Sequence, residues 1–169
     1  ATWSGDLKRG EVLAQKGVEI NQRLKFDLGL SIGKLVYGVA LINRGKDKEA
    51  YPHLVDAVEL FDQQKQPWNK GTALVHLGNV SLGMGDREQA KEWLEMAMPF
   101  MKESGDPWNM AFAMNNFGEV ARAEGNYEEA EAYYRQTEKY FEKADAVGDK
   151  ARLIHTFGYL EMHKGALST

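Results

Sequence analysis

Few residues in this 169-residue chain have the types and spacing that chemistry demands. Its four histidines are His53, His76, His155 and His163. His155 and His163 stand two turns apart along one helical stretch, too far for a compact chelate without a third ligand. His53 shares a repeat phase with Trp93 and Tyr133, so it reads as a helix-packing residue. The absence of cysteine excludes thiolate metal ligands and disulfides. No serine or threonine sits in a nucleophile elbow or beside an acid–base partner. The glycine pair in GMGD, residues 83–86, is followed by no lysine and opens no β–α unit, so it is a weak match to a phosphate loop. Glu128 and Glu129 fall in the first turn of an expected helix, where the macrodipole favours carboxylates. The constellations an enzyme needs are missing, so the expectation is a non-enzymatic protein with no metal and no cofactor.

Bulk properties narrow the partners. A net charge of −4 and a pI near 5.6, without a basic stripe, argue against nucleic acid. No apolar run approaches the ~18 residues of a membrane span. A cysteine-free chain fits a reducing compartment, so a cytoplasmic location is expected. The opening ATWSGDLKRG has neither a signal peptide's apolar core nor an Arg-rich transit pattern, and reads as an internal fragment or a processed chain.

What must position any functional residue is a repeat. Gly38, Gly78, Gly118 and Gly158 are spaced by 40, as are Gly5, Gly45, Gly85, Gly125 and Gly165. Nine of the seventeen glycines thus occupy two phases, too many for chance. Ala50, Ala90 and Ala130 share a phase, as do Phe61, Met101 and Phe141, and the Pro-Trp pairs at 67–68 and 107–108 recur. Within a unit the period is helical: Leu74, Leu77, Val80 and Ser81 in one copy correspond to Met114, Phe117, Val120 and Ala121 in the next. A second helix places Ala90, Trp93, Leu94, Ala97 and Met101 on one face, matched by Ala130, Tyr133, Tyr134, Thr137 and Phe141.

The turn chemistry agrees. Gly85 and Gly125 suit a left-handed helix stop, and Asp86 and Asn126 suit caps at capping-box spacing from Gln89 and Glu129. Gly105, Asp106 and Pro107 read as stop, cap and first helical residue. Gly78 reads as a close helix contact. Gly83, with Asn43 and Ala123 in its phase, has no evident role. Trp68 and Trp108 are expected to pack between successive pairs, buried against the previous helix.

The pattern L74-x-x-L77-G78-x-x-S81 … A90-x-x-x-L94, with M114-x-x-F117-G118-x-x-A121 … A130-x-x-x-Y134, K34-x-x-Y37-G38-x-x-L41 … A50-x-x-x-L54 and I154-x-x-F157-G158, resembles the tetratricopeptide (TPR) signature. The period exceeds the usual 34 by ~6 residues, and Ser81, Ala121 and Glu161 stand where the signature has tyrosine. The resemblance implies an all-α fold, a right-handed superhelix of antiparallel helix pairs, or TPR-like α-solenoid. The repeats fall at 27–66, 67–106 and 107–149, flanked by partial repeats at 1–26 and 150–169. Residues 1–4 would be the tail of a first helix and 7 to about 25 a second helix. Neither end reads as a polar cap, although KRGEVLAQK partly covers the first, so the expectation is an excised segment of a longer array or end-to-end self-association.

The same resemblance assigns a concave groove to the first helix of each pair. Carried over, its positions are Ile32, Leu35, Val39 and Ile42; Thr72, Val75, Asn79 and Leu82; Phe112, Asn115, Glu119 and Arg122; and Arg152, His155, Tyr159 and Met162. The first set is apolar and the later sets mix amide, charge and aromatic, which suits an extended protein or peptide segment. The expected binding residues are Asn79, Phe112, Asn115, Glu119, Arg122, Arg152, His155 and Tyr159. Val75–Asn79 and Asn115–Glu119 lack the Lys–Asn pairing of a carboxylate clamp, so an acidic chaperone terminus is not the expected ligand. FGEVARAEGNYEEAEAYY and the long period resemble the C-terminal sensor arrays of STAND-type, MalT- and AfsR-like, bacterial regulators. A structural scaffold and a Rap-like peptide-pheromone sensor are the alternatives.

Overall fold

The computed structural model of the chain describes residues 2–145, with side chains from residue 6 onward. Seven helices are found there: α1 Thr2–Leu24, α2 Asp27–Ile42, α3 Asp47–Gln63, α4 Pro67–Gly83, α5 Arg87–Ser104, α6 Pro107–Glu124 and α7 Tyr127–Lys143. The starts at residues 27, 67 and 107, and again at 47, 87 and 127, reproduce the glycine spacing. Among the described residues no strand occurs, and no helix is long and apolar enough to cross a membrane. The chain divides into two compact units, one ending at Phe100 and the other beginning at Met101.

In the first unit, Leu41, Ala50, Leu54, Ala57, Phe61, Leu74, Leu77, Val80, Ala90, Leu94 and Ala97 are fully buried. In the second, Met101, Ala111, Ala113, Ala130 and Tyr134 are fully buried, with Met114, Phe117, Val120, Ala121 and Phe141 close behind. The small residues are where helices cross. A methyl built on Gly78 would lie 2.6 Å from Leu94 Cγ, and one on Gly38 2.7 Å from Leu54 Cδ2. One on Gly118 would run into the Tyr134 ring. Gly83 acquires a reason too, because a side chain there would strike the Asp47 carboxylate at the start of α3.

Each turn closes in the same way. Gly45, Gly85 and Gly125 are left-handed, at φ 68, 86 and 84°. The amide after each reaches five residues back, as in Asp86 N to Ser81 O at 2.9 Å and Asn126 N to Ala121 O at 2.9 Å. The turns between pairs are left-handed as well, at Lys25, Lys65, Gly105 and Asp145, but only Gly105 escapes the Cβ penalty. Asp106 caps α6 by accepting from Trp108 N at 2.9 Å, with Pro107 behind it as the first helical residue. Asp86 accepts from Gln89 N at 3.1 Å.

Three expectations change. Asn126 makes no cap bond; its side-chain amide donates to Glu124 at 3.3 Å instead, because that carboxylate competes from the preceding turn. α1 runs unbroken through Gly5 where a turn was expected. A single glycine costs a helix interior only about 1 kcal/mol against alanine, so Gly5 by itself does not stop it. Trp68 and Trp108 are not buried but 48% and 41% exposed. They occupy the first turn, from which helical side chains lean toward the N-terminus and past the packed core.

α1 is fastened to the α2–α3 turn by Glu11, only 9% exposed, which accepts from Lys46 Nζ at 2.9 Å and pairs with Arg44. The Lys46 hydrogen bond, helped by Arg44, holds the Glu11 carboxyl below its ordinary range.

Candidate functional site

α6 is a strong helix despite three asparagines, because its cap, its N1 proline and its left-handed Gly125 stop fix both ends. Its 3.6-residue period stacks Trp108, Phe112, Asn115, Glu119 and Arg122 on a single face. Met110, Ala113, Met114, Phe117 and Val120 face inward and are buried. The Trp108 and Phe112 rings lie 5.7 Å apart and 19° from parallel, an offset-stacked plate at the start of the helix. Phe112 and Asn115 are half-buried.

The far end of this face is a fixed ionic cluster. Glu119 Oε2 accepts from Arg122 Nη2 at 2.7 Å and from Arg122 Nε at 3.1 Å. Its other oxygen accepts from the Tyr134 hydroxyl of α7 at 2.7 Å. The Glu119 bonds hold the Arg122 guanidinium more firmly protonated than usual. Burial, reinforced by the bond to Glu119, pushes the Tyr134 phenol far above its ordinary range, so the hydroxyl remains a donor at every physiological pH.

Of the residues expected from the sequence, Phe112, Asn115, Glu119 and Arg122 share this face in the second unit. Asn79 is half-buried on α4 in the first unit. Arg152, His155, Tyr159 and Met162 lie outside the described residues. Val75 is withdrawn as a groove residue: it is 2% exposed, because α4 is enclosed on most sides, with Gly71, Ala73, Leu74 and Leu77 buried around it. On α2, Ile32 is 43% exposed and Leu35, Val39 and Ile42 are half-buried.

Two features of the structure lie outside the groove pattern. Tyr134 stands in the phase of Leu54 and Leu94, so a hydroxyl appearing opposite Glu119 was the available signal. Leu28, Trp68 and Trp108 share a phase one turn ahead of the groove positions, and all three are exposed. No group of three or more His, Cys, Asp or Glu side chains able to hold a metal ion occurs among the described residues. His53 packs its ring 4.7 Å from Tyr37, and burial followed by the Lys34 charge lowers its pKa. Burial pushes His76 down to about 4.

The profile of the family described as Tetratricopeptide repeat matches residues 69–143, which include α6, α7 and the turn between them. Residues 69–143 are thus similar to tetratricopeptide repeats. No curated protein sequence matches it significantly. Among solved structures, BtubC (BKLC) from P. vanneervenii is similar to this chain at 21% identity and a TM-score of 0.74, over 94% of this chain and 66% of that one. The apo form of RapI is similar at 14% identity and a TM-score of 0.79, over 98% and 63% of the two chains. The TPR domain of Arabidopsis FLU aligns at 21% identity and a TM-score of 0.59, over 69% of this chain and 95% of that domain. The chain thus spans just under two thirds of the length of BtubC and of RapI. At these identities the likeness speaks for the fold, an all-α, TPR-like α-solenoid.

Proposed function

We propose that this chain is a non-enzymatic module that binds a protein or peptide segment along the face of α6, within a larger bacterial signalling or regulatory protein. TPR-like repeats are in general protein-interaction modules. The observation that carries the reading to this face is its construction. An aromatic plate of exposed Trp108 and half-buried Phe112, a half-buried amide at Asn115 and a pre-set Glu119–Arg122–Tyr134 cluster line up at one-turn intervals. Such a row matches the alternation of apolar anchors and backbone amides in an extended peptide. The Glu119–Arg122 pair is held before any ligand arrives, which lowers the ordering cost of binding. In the first unit Asn79 on α4 is proposed as a binding residue as well, and Arg152, His155 and Tyr159, outside the described residues, are carried as proposals from the sequence. The regulatory setting rests on the resemblance of FGEVARAEGNYEEAEAYY to STAND sensor arrays.

The test is a selection of random displayed peptides on the purified chain, followed by amide-shift mapping with a selected peptide. The reading expects the largest shifts at Phe112, Asn115 and Arg122. Shifts confined to other helices would move the site, and no selectable peptide at all would favour a structural scaffold.

A second mode of association has its own observation. On α1, Leu13, Ile20 and Leu24 are 58%, 53% and 70% exposed, an apolar row suited to end-to-end stacking of chains. Light scattering that shows a strict monomer over a wide concentration range removes it.

A further inference from the structure

We infer that the aromatic end of the α6 face takes a basic peptide segment, with an arginine or lysine side chain laid over the exposed part of the Trp108 ring. This rests on the interaction-module reading and names the ligand chemistry of the same face.

Charge complementarity carries it. Residues 1–100 hold thirteen acidic and thirteen basic side chains, a net charge of zero. Residues 101–169 hold twelve acidic against eight basic, a net charge of −4. The negative charge of the chain is therefore concentrated in the unit that displays the aromatic plate, and it attracts and orients a cationic segment. Arg122, the sole basic residue of α6, is held by the Glu119 carboxylate, so it does not repel that segment. At the other end of the face the Asp106 carboxylate sits two residues from Trp108, bound to its backbone amide.

The ring chemistry agrees. Trp108 is 41% exposed, and an indole is the strongest aromatic partner for a cation. The chain makes the same kind of contact internally: Lys70 Nζ lies 5.4 Å from the Phe100 ring centre, and Lys143 Nζ 5.3 Å from that of Tyr140. Trp108 stands one turn ahead of the groove positions that the TPR resemblance supplies, so this contact is an addition to that groove.

Alternating Arg-Gly, Glu-Gly and Ser-Gly dodecapeptides titrated into the full chain, read by NMR shifts and calorimetry, test the inference. Arg-Gly should shift the Trp108 indole and the Asn115 side-chain amide. Its affinity should fall about tenfold in Trp108→Ala and stay within about twofold in Trp68→Ala. Raising salt from about 50 to about 300 mM should weaken it severalfold. Equal or tighter binding of Glu-Gly or Ser-Gly at the same face would overturn the basic ligand and leave the module standing. So would binding of library-selected peptides at α6 without any Arg-Gly binding. Arg-Gly affinity unchanged in Trp108→Ala would also overturn it. The module reading itself fails only if no peptide of any charge binds α6.

Discussion

At the scale of single residues, glycine divides into two kinds that a methyl group can tell apart. Gly78 and Gly118 sit where Leu94 and Tyr134 leave no room for a Cβ, so Gly78→Ala and Gly118→Ala should each cost about 1–3 kcal/mol in denaturant unfolding. Gly10 and Gly17 in α1 have nothing within 4 Å of the same position. There the substitution should stabilise by about 1 kcal/mol, through helix propensity alone. Equal effects at all four positions would remove the close-approach account. Tyr134 supports a second test, because its hydroxyl bonds an ionised carboxylate from a buried ring. Tyr134→Phe should lose about 1.5–3 kcal/mol, and Glu119 and Arg122 should become measurably more mobile.

Elements are set by their ends. Asp106 caps α6 with a real bond to Trp108 N, whereas Asn126 spends its side chain on Glu124. Asp106→Ala should therefore cost about 1 kcal/mol and Asn126→Ala only a few tenths in thermal melts. Both positions read as caps in the sequence, which could not have shown the difference, since the competing Glu124 is a matter of side-chain direction. The helices themselves were legible, because a glycine phase of 40 and a buried Leu/Ala/Phe stripe state both the period and the packing face. Gly83 was illegible for the opposite reason. Its neighbour Asp47 is far away in sequence and reaches it only through the fold. The proposed binding face was half legible: Phe112, Asn115, Glu119 and Arg122 follow from the TPR resemblance, while Val75 held an equivalent groove position and is buried. Exposure depends on what packs around a helix, and the enclosure of α4 is not written in the sequence of α4.

For the whole molecule, acid should be the sensitive direction. His76 has its pKa lowered from 6.5 to about 4 by burial, so the unfolded chain binds more protons between those values. Its contribution to stability is complete above pH 6.5 and is lost as pH falls toward 4, at most about 3 kcal/mol. His53 shifts in the same direction. His76→Asn, which installs the residue found one repeat later at Asn116, should flatten the melting-temperature profile across that window. An unchanged slope would assign the acid sensitivity elsewhere. The module claim is tested most directly by calorimetric titration of one library-selected peptide into the native chain and into the Phe112→Ala/Asn115→Ala/Arg122→Ala variant, with helicity confirmed by circular dichroism. The account predicts that the folded variant loses about 100-fold or more in affinity, on the order of 3 kcal/mol. A variant that stays folded and binds the peptide as tightly as the native chain would contradict it.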